Sequence, residues 1–245
     1  MMKIFNFLKQ ICHDDSSNWN NDYRYGQIIE ILKENNVKFE EVYYNDDVAK
    51  NIYVHYGRPF VNIFGAHYDI VPEVQGAIDN GASISELIGL AINLKGHTGD
   101  ITIAFLANEE NLAGLGSYDD IGSKCMALNE LKSDYEKSII LDVCARGDVI
   151  LTRQDCDVDF SGYKHSVKNM PVTDDWIINN AMSVDDKYDN RSLLLSVLPE
   201  SDLDLHATWR MIHSDDDVVE NVDADTLEMM TCFITGLARE ISQNS

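Results

Sequence analysis

Five short polar clusters in the sequence each adjoin an apolar run and each carry donors suited to a metal ion. They are Ala66-His67-Tyr68-Asp69, Asp79-Asn80-Gly81, Asn108-Glu109-Glu110, Asp142, and His213 followed by Ser214-Asp215-Asp216-Asp217. Imidazole nitrogen and carboxylate oxygen are the donors that Zn²⁺ takes in hydrolytic sites. Two such ions, about 3.5–4 Å apart, need a bridging carboxylate and terminal donors on each side. A further carboxylate, not a ligand, must take the proton from the attacking water. His67 and Asp69, two apart, project to the same side of an extended chain, so Asp69 can sit beside His67 and fix its tautomer. Glu109 and Glu110 are neighbours and point different ways, so one can bind metal while the other faces the water. Singly, each cluster has a plain structural explanation: a hydrogen-bonded His at a strand end, a solvated Glu pair, an Asp-Asn-Gly turn. Together they make a set that a two-metal hydrolase requires.

The elements that must position these groups alternate between strand-like and helix-like patterns. Residues 1–12 read as a helix, and residues 26–36 carry a helical stripe at positions 28, 29, 31 and 32. Residues 39–44 and 51–56 read as two strands of a hairpin. Residues 59–65, 101–107, 137–143 and 148–152 read as further, mostly buried strands, and 207–212 (ATWRMI) as another. Ser83 with Glu86 three residues on is a capping-box pattern opening a helix over 83–94. Residues 170–181 are weakly helical. Asp223 is placed to cap an amphipathic helix running to 241. Strands separated by helices predict an α/β fold with a mixed, mostly parallel central sheet covered on both faces. Ligands of such sheets bind at the carboxyl ends of the strands. Four of the clusters follow a strand-like run, and Asp79-Asn80-Gly81 lies just before the capped helix.

These segments resemble the zinc aminopeptidase family in the clan of co-catalytic di-zinc exopeptidases, peptidase family M28. The matching residues are AHYD (66–69), AIDNGASISELIGLA (77–91), FLANEENLAGLGS (105–117), ILDV (140–143) and IHSDDDVVENVDADTL (212–227). The resemblance runs from about Phe60 to the C-terminal helix and is weakest between Thr152 and Leu205. It implies a zinc-exopeptidase-like three-layer fold and two zinc ions, with Co²⁺ or Mn²⁺ as substitutes. It implies that His67 and Asp142 hold one ion, Glu110 and His213 the other, and that Asp79 bridges them. Glu109 is then the general base and Asp69 the group that orients His67. The family often has a cis peptide after the bridging aspartate, here Asp79–Asn80. The implied activity is removal of N-terminal residues from small peptides. A glutaminyl-cyclase-like acyltransferase and an inactive binding protein on the same fold are the alternatives. Two departures stand out. The family pattern EExGLxGS is here EENLAGLGS, which reshapes the loop after Glu110. The Tyr that many relatives place near the final His is replaced by Met211-Ile212. Tyr188, Arg191 and His206 are the remaining candidates for a carbonyl-polarising donor.

Bulk properties set limits on these readings. The 245 residues, 44% of them hydrophobic, fit a single catalytic domain over 1–245. The formal net charge of −23 argues against nucleic acid and anionic membrane as partners, since both repel an acidic surface, and it keeps the protein soluble. It suits small cationic peptides. Cys12, Cys125, Cys144, Cys156 and Cys232 are odd in number and contain no CxxC pair, as expected for thiols in a reducing interior. No apolar run approaches the roughly 20 residues that span a membrane. The apolar stretch near the N-terminus is too short and interrupted for a signal peptide, so the expected location is the cytoplasm.

Overall fold

Buried strands with unbroken apolar faces form the centre of the structure. The computed structural model describes residues 3–13, 15–16, 20–110, 120–131, 135–152, 166–169, 191–202 and 206–243. Within them lie strands β1 (Glu40–Tyr44), β2 (Ala49–Tyr56), β3 (Asn62–His67), β4 (Ile101–Leu106), β5 (Lys137–Leu141), β6 (Val149–Thr152), β7 (Ser166–Asn169) and β8 (Ser192–Leu198). The helices are α1 (Lys3–Ile11), α2 (Asn21–Glu34), α3 (Ala82–Asn93), α4 (Gly122–Asn129), α5 (His206–Trp209) and α6 (Ala224–Ile241). One sheet takes the order β1-β2-β4-β3-β5-β8-β6-β7. Its centre, β4-β3-β5-β8, is parallel, while β1-β2, β2-β4 and β6-β8 pair antiparallel. Every residue of NIFGAH and ITIAFL is buried, as a strand covered on both faces requires.

Helices cover both faces. Alternation along β2 sends Asn51 to one side, where its amide donates to the Gly122 carbonyl of α4 at 2.8 Å. Tyr56 points to the other side and donates its hydroxyl to the Ala91 carbonyl of α3. On that side α1, α3 and α6 pack together. Gly89 permits the approach, because a Cβ there would stand 2.6 Å from Ile4 Cδ1 and 2.7 Å from Thr231 Cγ2. Asp223 caps α6 as the sequence implies, accepting from the Asp225 amide.

Because β4, β3 and β5 run parallel, their carboxyl ends converge at one edge. His67 is the last residue of β3, Glu109 and Glu110 follow β4, and Asp142 follows β5 directly. Two expectations fail. Residues 207–212 are not a strand: α5 occupies 206–209 and turns follow. The Asp202 carboxylate accepts from the Ala207 and Thr208 amides, both at 2.8 Å, and from the Thr208 hydroxyl at 2.6 Å. That cap nucleates a helical turn, and Trp209 and Arg210 are exposed. The capping box at Ser83 is also absent. The helix begins one residue earlier, after Gly81, which has no side-chain cap. Ser83 and Glu86 instead face the interior. Both Glu86 carboxylate oxygens lack a hydrogen-bond partner among the described residues, and burial holds its pKa well above the usual carboxylate range. The sequence reading also missed α4, β7 and β8. The expected helix at 170–181 lies outside the described residues.

Candidate metal centre

Asp79 lies at the centre of the site. It sits in a kinked turn, Ala77–Gly81, just before α3, and the Asp79–Asn80 peptide is cis. Its carboxylate faces two histidines at once. Oδ1 lies 3.1 Å from His67 Nε2 and Oδ2 lies 3.1 Å from His213 Nε2. On the first side, Asp142 Oδ1 lies 3.6 Å from His67 Nε2. On the second, Glu110 Oε1 lies 3.0 Å from His213 Nε2. Three overlapping groups result, each with donor atoms within 4.8 Å of one another: His67-Asp79-Asp142, Asp79-Glu110-His213 and His67-Glu109-Glu110.

These separations test whether zinc fits. Tetrahedral zinc with bonds of roughly 2.0–2.1 Å places neighbouring donors about 3.3 Å apart. The four donor pairs span 3.0 to 3.6 Å, so each pair is spaced like an edge of a coordination shell. The donor chemistry, imidazole with carboxylates, also fits.

Crowding of these imidazoles and carboxylates shifts their proton affinities in both directions. Burial pulls His67 down, but contacts with Asp142, Asp69 and Asp79 outweigh it and raise its pKa well above the usual histidine value. Hydrogen bonds to Asp79 and Glu110 push His213 up to about 10. Burial raises Asp79, yet the two imidazoles overcome it and hold its carboxyl well below the usual range. Burial, reinforced by Asp142, Glu110 and Asp79 and opposed by His67, pushes Glu109 up to about 8.

Asp69 stands behind His67. Its Oδ1 is 3.5 Å and its carbonyl oxygen 3.2 Å from His67 Nδ1. Its two carboxylate oxygens also accept the Glu109 and Glu110 amides, at 3.0 and 2.7 Å. Left-handed backbone marks three junctions of the site: Asn108 before the Glu pair, Val143 after Asp142, and His213 itself. For Val, a β-branched residue, that is a costly conformation of the kind that clusters at functional sites.

All seven residues singled out from the sequence therefore meet in one place. Of the candidate carbonyl donors, Arg191 is engaged with Tyr135, donating to its carbonyl at 2.6 Å. His206 begins α5, and Tyr188 and the loop at 111–119 lie outside the described residues. One participant was hidden. Asp217 is buried and accepts the Ile78 amide at 2.6 Å, which ties the segment after His213 to the turn carrying Asp79. In the sequence nothing distinguishes it from its neighbours Asp215 and Asp216.

The family model for peptidase family M28 matches residues 51–237. The chain belongs to peptidase family M28. As an M28 peptidase it is a hydrolase of the metallopeptidase type. Comparison with curated proteins gives no sequence match. Solved structures show the same fold. A Zn-dependent exopeptidase from Parabacteroides distasonis superposes with a TM-score of 0.67 at 16% identity, covering 96% of each chain. The LapA aminopeptidase of Legionella pneumophila gives 0.67 at 14% identity, over 98% of this chain and 71% of that one. The glutaminyl cyclase of Tannerella forsythia gives 0.64 at 17% identity, over 96% and 97%.

Proposed function

We propose that this M28 peptidase is a zinc-dependent exopeptidase of the aminopeptidase type, with two zinc ions, acting on small peptides in the cytoplasm. The observation that carries the reading is the Asp79 carboxylate, whose two oxygens face two different imidazoles at 3.1 Å each. One carboxylate shared between two donor sets is what a pair of ions requires. Bound zinc supplies a Lewis acid for the scissile carbonyl and lowers the pKa of the attacking water.

The chain's own residues do the rest. His67, Asp142 and Asp79 form one donor set; His213, Glu110 and Asp79 form the other. Asp69 keeps Nδ1 of His67 engaged and leaves Nε2 toward Asp79 and Asp142, where it would hold an ion with them. Glu109 has a carboxylate oxygen near donor atoms of both His67 and Glu110, which puts it within reach of water held between the two sets. It takes the proton of the attacking water and returns it to the leaving amine nitrogen. Its upward-shifted pKa suits the return of the proton, and a bound cation would lower it toward the carboxylate form that accepts one. An acidic surface favours a substrate with a free, cationic α-amine.

Zinc quantification combined with a panel of aminoacyl chromogenic substrates and short peptides tests the reading. Two zinc ions per chain and release of free N-terminal residues are expected. One ion with cyclisation of an N-terminal Gln peptide favours the cyclase-like alternative, on the same fold as the Tannerella enzyme. Failure to retain zinc at neutral pH overturns both.

A further inference from the structure

An arginine on a surface-type amphipathic helix ordinarily extends into water. Arg24 on α2 does the opposite: it is 2% exposed and its guanidinium is spent on the loop that joins two of the proposed zinc ligands. Nη1 donates to the Tyr68 carbonyl at 3.2 Å, one residue beyond His67. Nη2 donates to the Gln75 carbonyl at 2.8 Å, to the Gly76 carbonyl, and to Cys12 Sγ at 3.1 Å. The two ends of the loop between His67 and Asp79 are therefore held by two nitrogens of one rigid planar group. Gly76 makes the approach possible. Its φ is +64°, and a Cβ there would stand 2.9 Å from Arg24 Nη2 and 2.5 Å from Ile70 Cγ2. The same loop is fastened on its far side to the segment following His213. Gln75 Oε1 accepts the Val219 amide at 2.7 Å, and Asp217 accepts the Ile78 amide.

We infer that Arg24 is a positioning residue that sets the spacing of His67 and Asp79 and, through the loop's far side, of His213. It lies outside residues 51–237, which the family model covers, so the N-terminal helices supply a part of the site that the family pattern does not contain. The inference rests on the zinc reading above. Only a guanidinium fits this arrangement, because its donors leave from separate nitrogens in a fixed fork. A lysine has one nitrogen and cannot hold both ends of the loop.

The test compares Arg24→Lys with Arg24→Met, Gly76→Ala and a control, Ile28→Ala, in the full chain. Ile28 is buried on the same helix, so its truncation lowers stability without touching the loop. Two quantities are read: zinc affinity by chelator competition, and amide hydrogen exchange over residues 68–81 in the metal-free protein. Arg24→Lys keeps the buried charge and is the variant expected to fold if Arg24→Met does not. Arg24→Lys and Gly76→Ala are expected to weaken zinc by about tenfold or more, as loss of groups supporting metal ligands does. They should also speed exchange in 68–81. Ile28→Ala should lower Tm and leave zinc affinity at the wild-type value. Wild-type zinc affinity in Arg24→Lys, or unchanged exchange in 68–81, overturns the inference. If the wild-type chain itself takes no zinc, the zinc reading falls, and the exchange measurement alone then decides whether Arg24 holds the loop.

Discussion

The two halves of the site are built on different kinds of scaffold. His67 and Asp142 stand at the carboxyl ends of adjacent parallel strands, where sheet register fixes the backbone from which they project. His213 stands on no strand. It follows the single capped turn of α5, adopts a left-handed backbone, and is 44% exposed against 1% for His67. The strand-borne half is held by the hydrogen-bond ladder of the whole sheet. His213 is held by the Asp202 cap and by the Asp217 link to the Asp79 turn, while Glu110, its companion in the second set, follows β4 and is anchored through its amide by Asp69. One ion position is thus preorganised by the sheet, and the other shares the sheet through Glu110 but depends on a few side-chain contacts for His213.

The largest effect comes from the chemistry the two halves share. Glu109→Gln is expected to lower turnover by about 10²–10⁴ while both zinc ions stay bound, measured by kcat and metal content. Next, the halves should separate under ligand truncation. His67→Ala, which strips the buried set, is expected to lose both ions and to lower Tm. His213→Ala should keep close to one zinc per chain, so equal losses from the two variants would contradict the asymmetry. A smaller effect follows from the scaffold of the weaker half. Asp202→Ala removes three hydrogen bonds at the start of α5 and should cost about 1–2 kcal/mol in stability. Its effect on zinc should fall on one ion only, read by biphasic chelator titration.

The smallest effect is a pH dependence of the metal-free protein. His213 titrates near 10 and Glu109 near 8, both above their usual values of roughly 6.5 and 4.3. Both groups bind protons more tightly in the folded state, so their contribution favours folding at low pH and is lost as pH rises. Chelator-treated protein should therefore lose stability from about pH 4, where Glu109 begins to contribute, through pH 10, where His213 ceases to, in denaturant titrations. Zinc uptake at neutral pH should release protons, seen as a buffer-dependent heat, and zinc affinity should rise with pH.

Much of the strand-borne half was legible in the sequence, because a buried parallel strand writes itself as an unbroken apolar run and its functional residues follow directly. NIFGAH, ITIAFL and KSIIL show this. The other half was misread in its support. ATWRMI has the composition of a strand, but the cap that makes it helical lies four to six residues upstream and reads as a surface acid. Glu86 was misread because S-x-x-E spacing describes an inward-facing pair one turn into a helix as well as a capping box. Strand β8, SLLLSVL, did carry an apolar signal, yet it lies in the stretch where resemblance was weakest. Arg24 left no signal, since it precedes the helical stripe at 26–36 and a charged residue there looks solvated whichever way it points.

Asp69 has a consequence for how this site can change. A single carboxylate orients His67 and anchors the amides of both Glu109 and Glu110. The two strand ends therefore share one reference point, and an error at Asp69 propagates to ligand, base and neighbouring ligand together. Substitutions at Asp69 and Glu109 should then be non-additive, the double variant costing less than the sum of the singles. Variation across β3 and β4 is constrained to move in concert, as a linked set and not residue by residue.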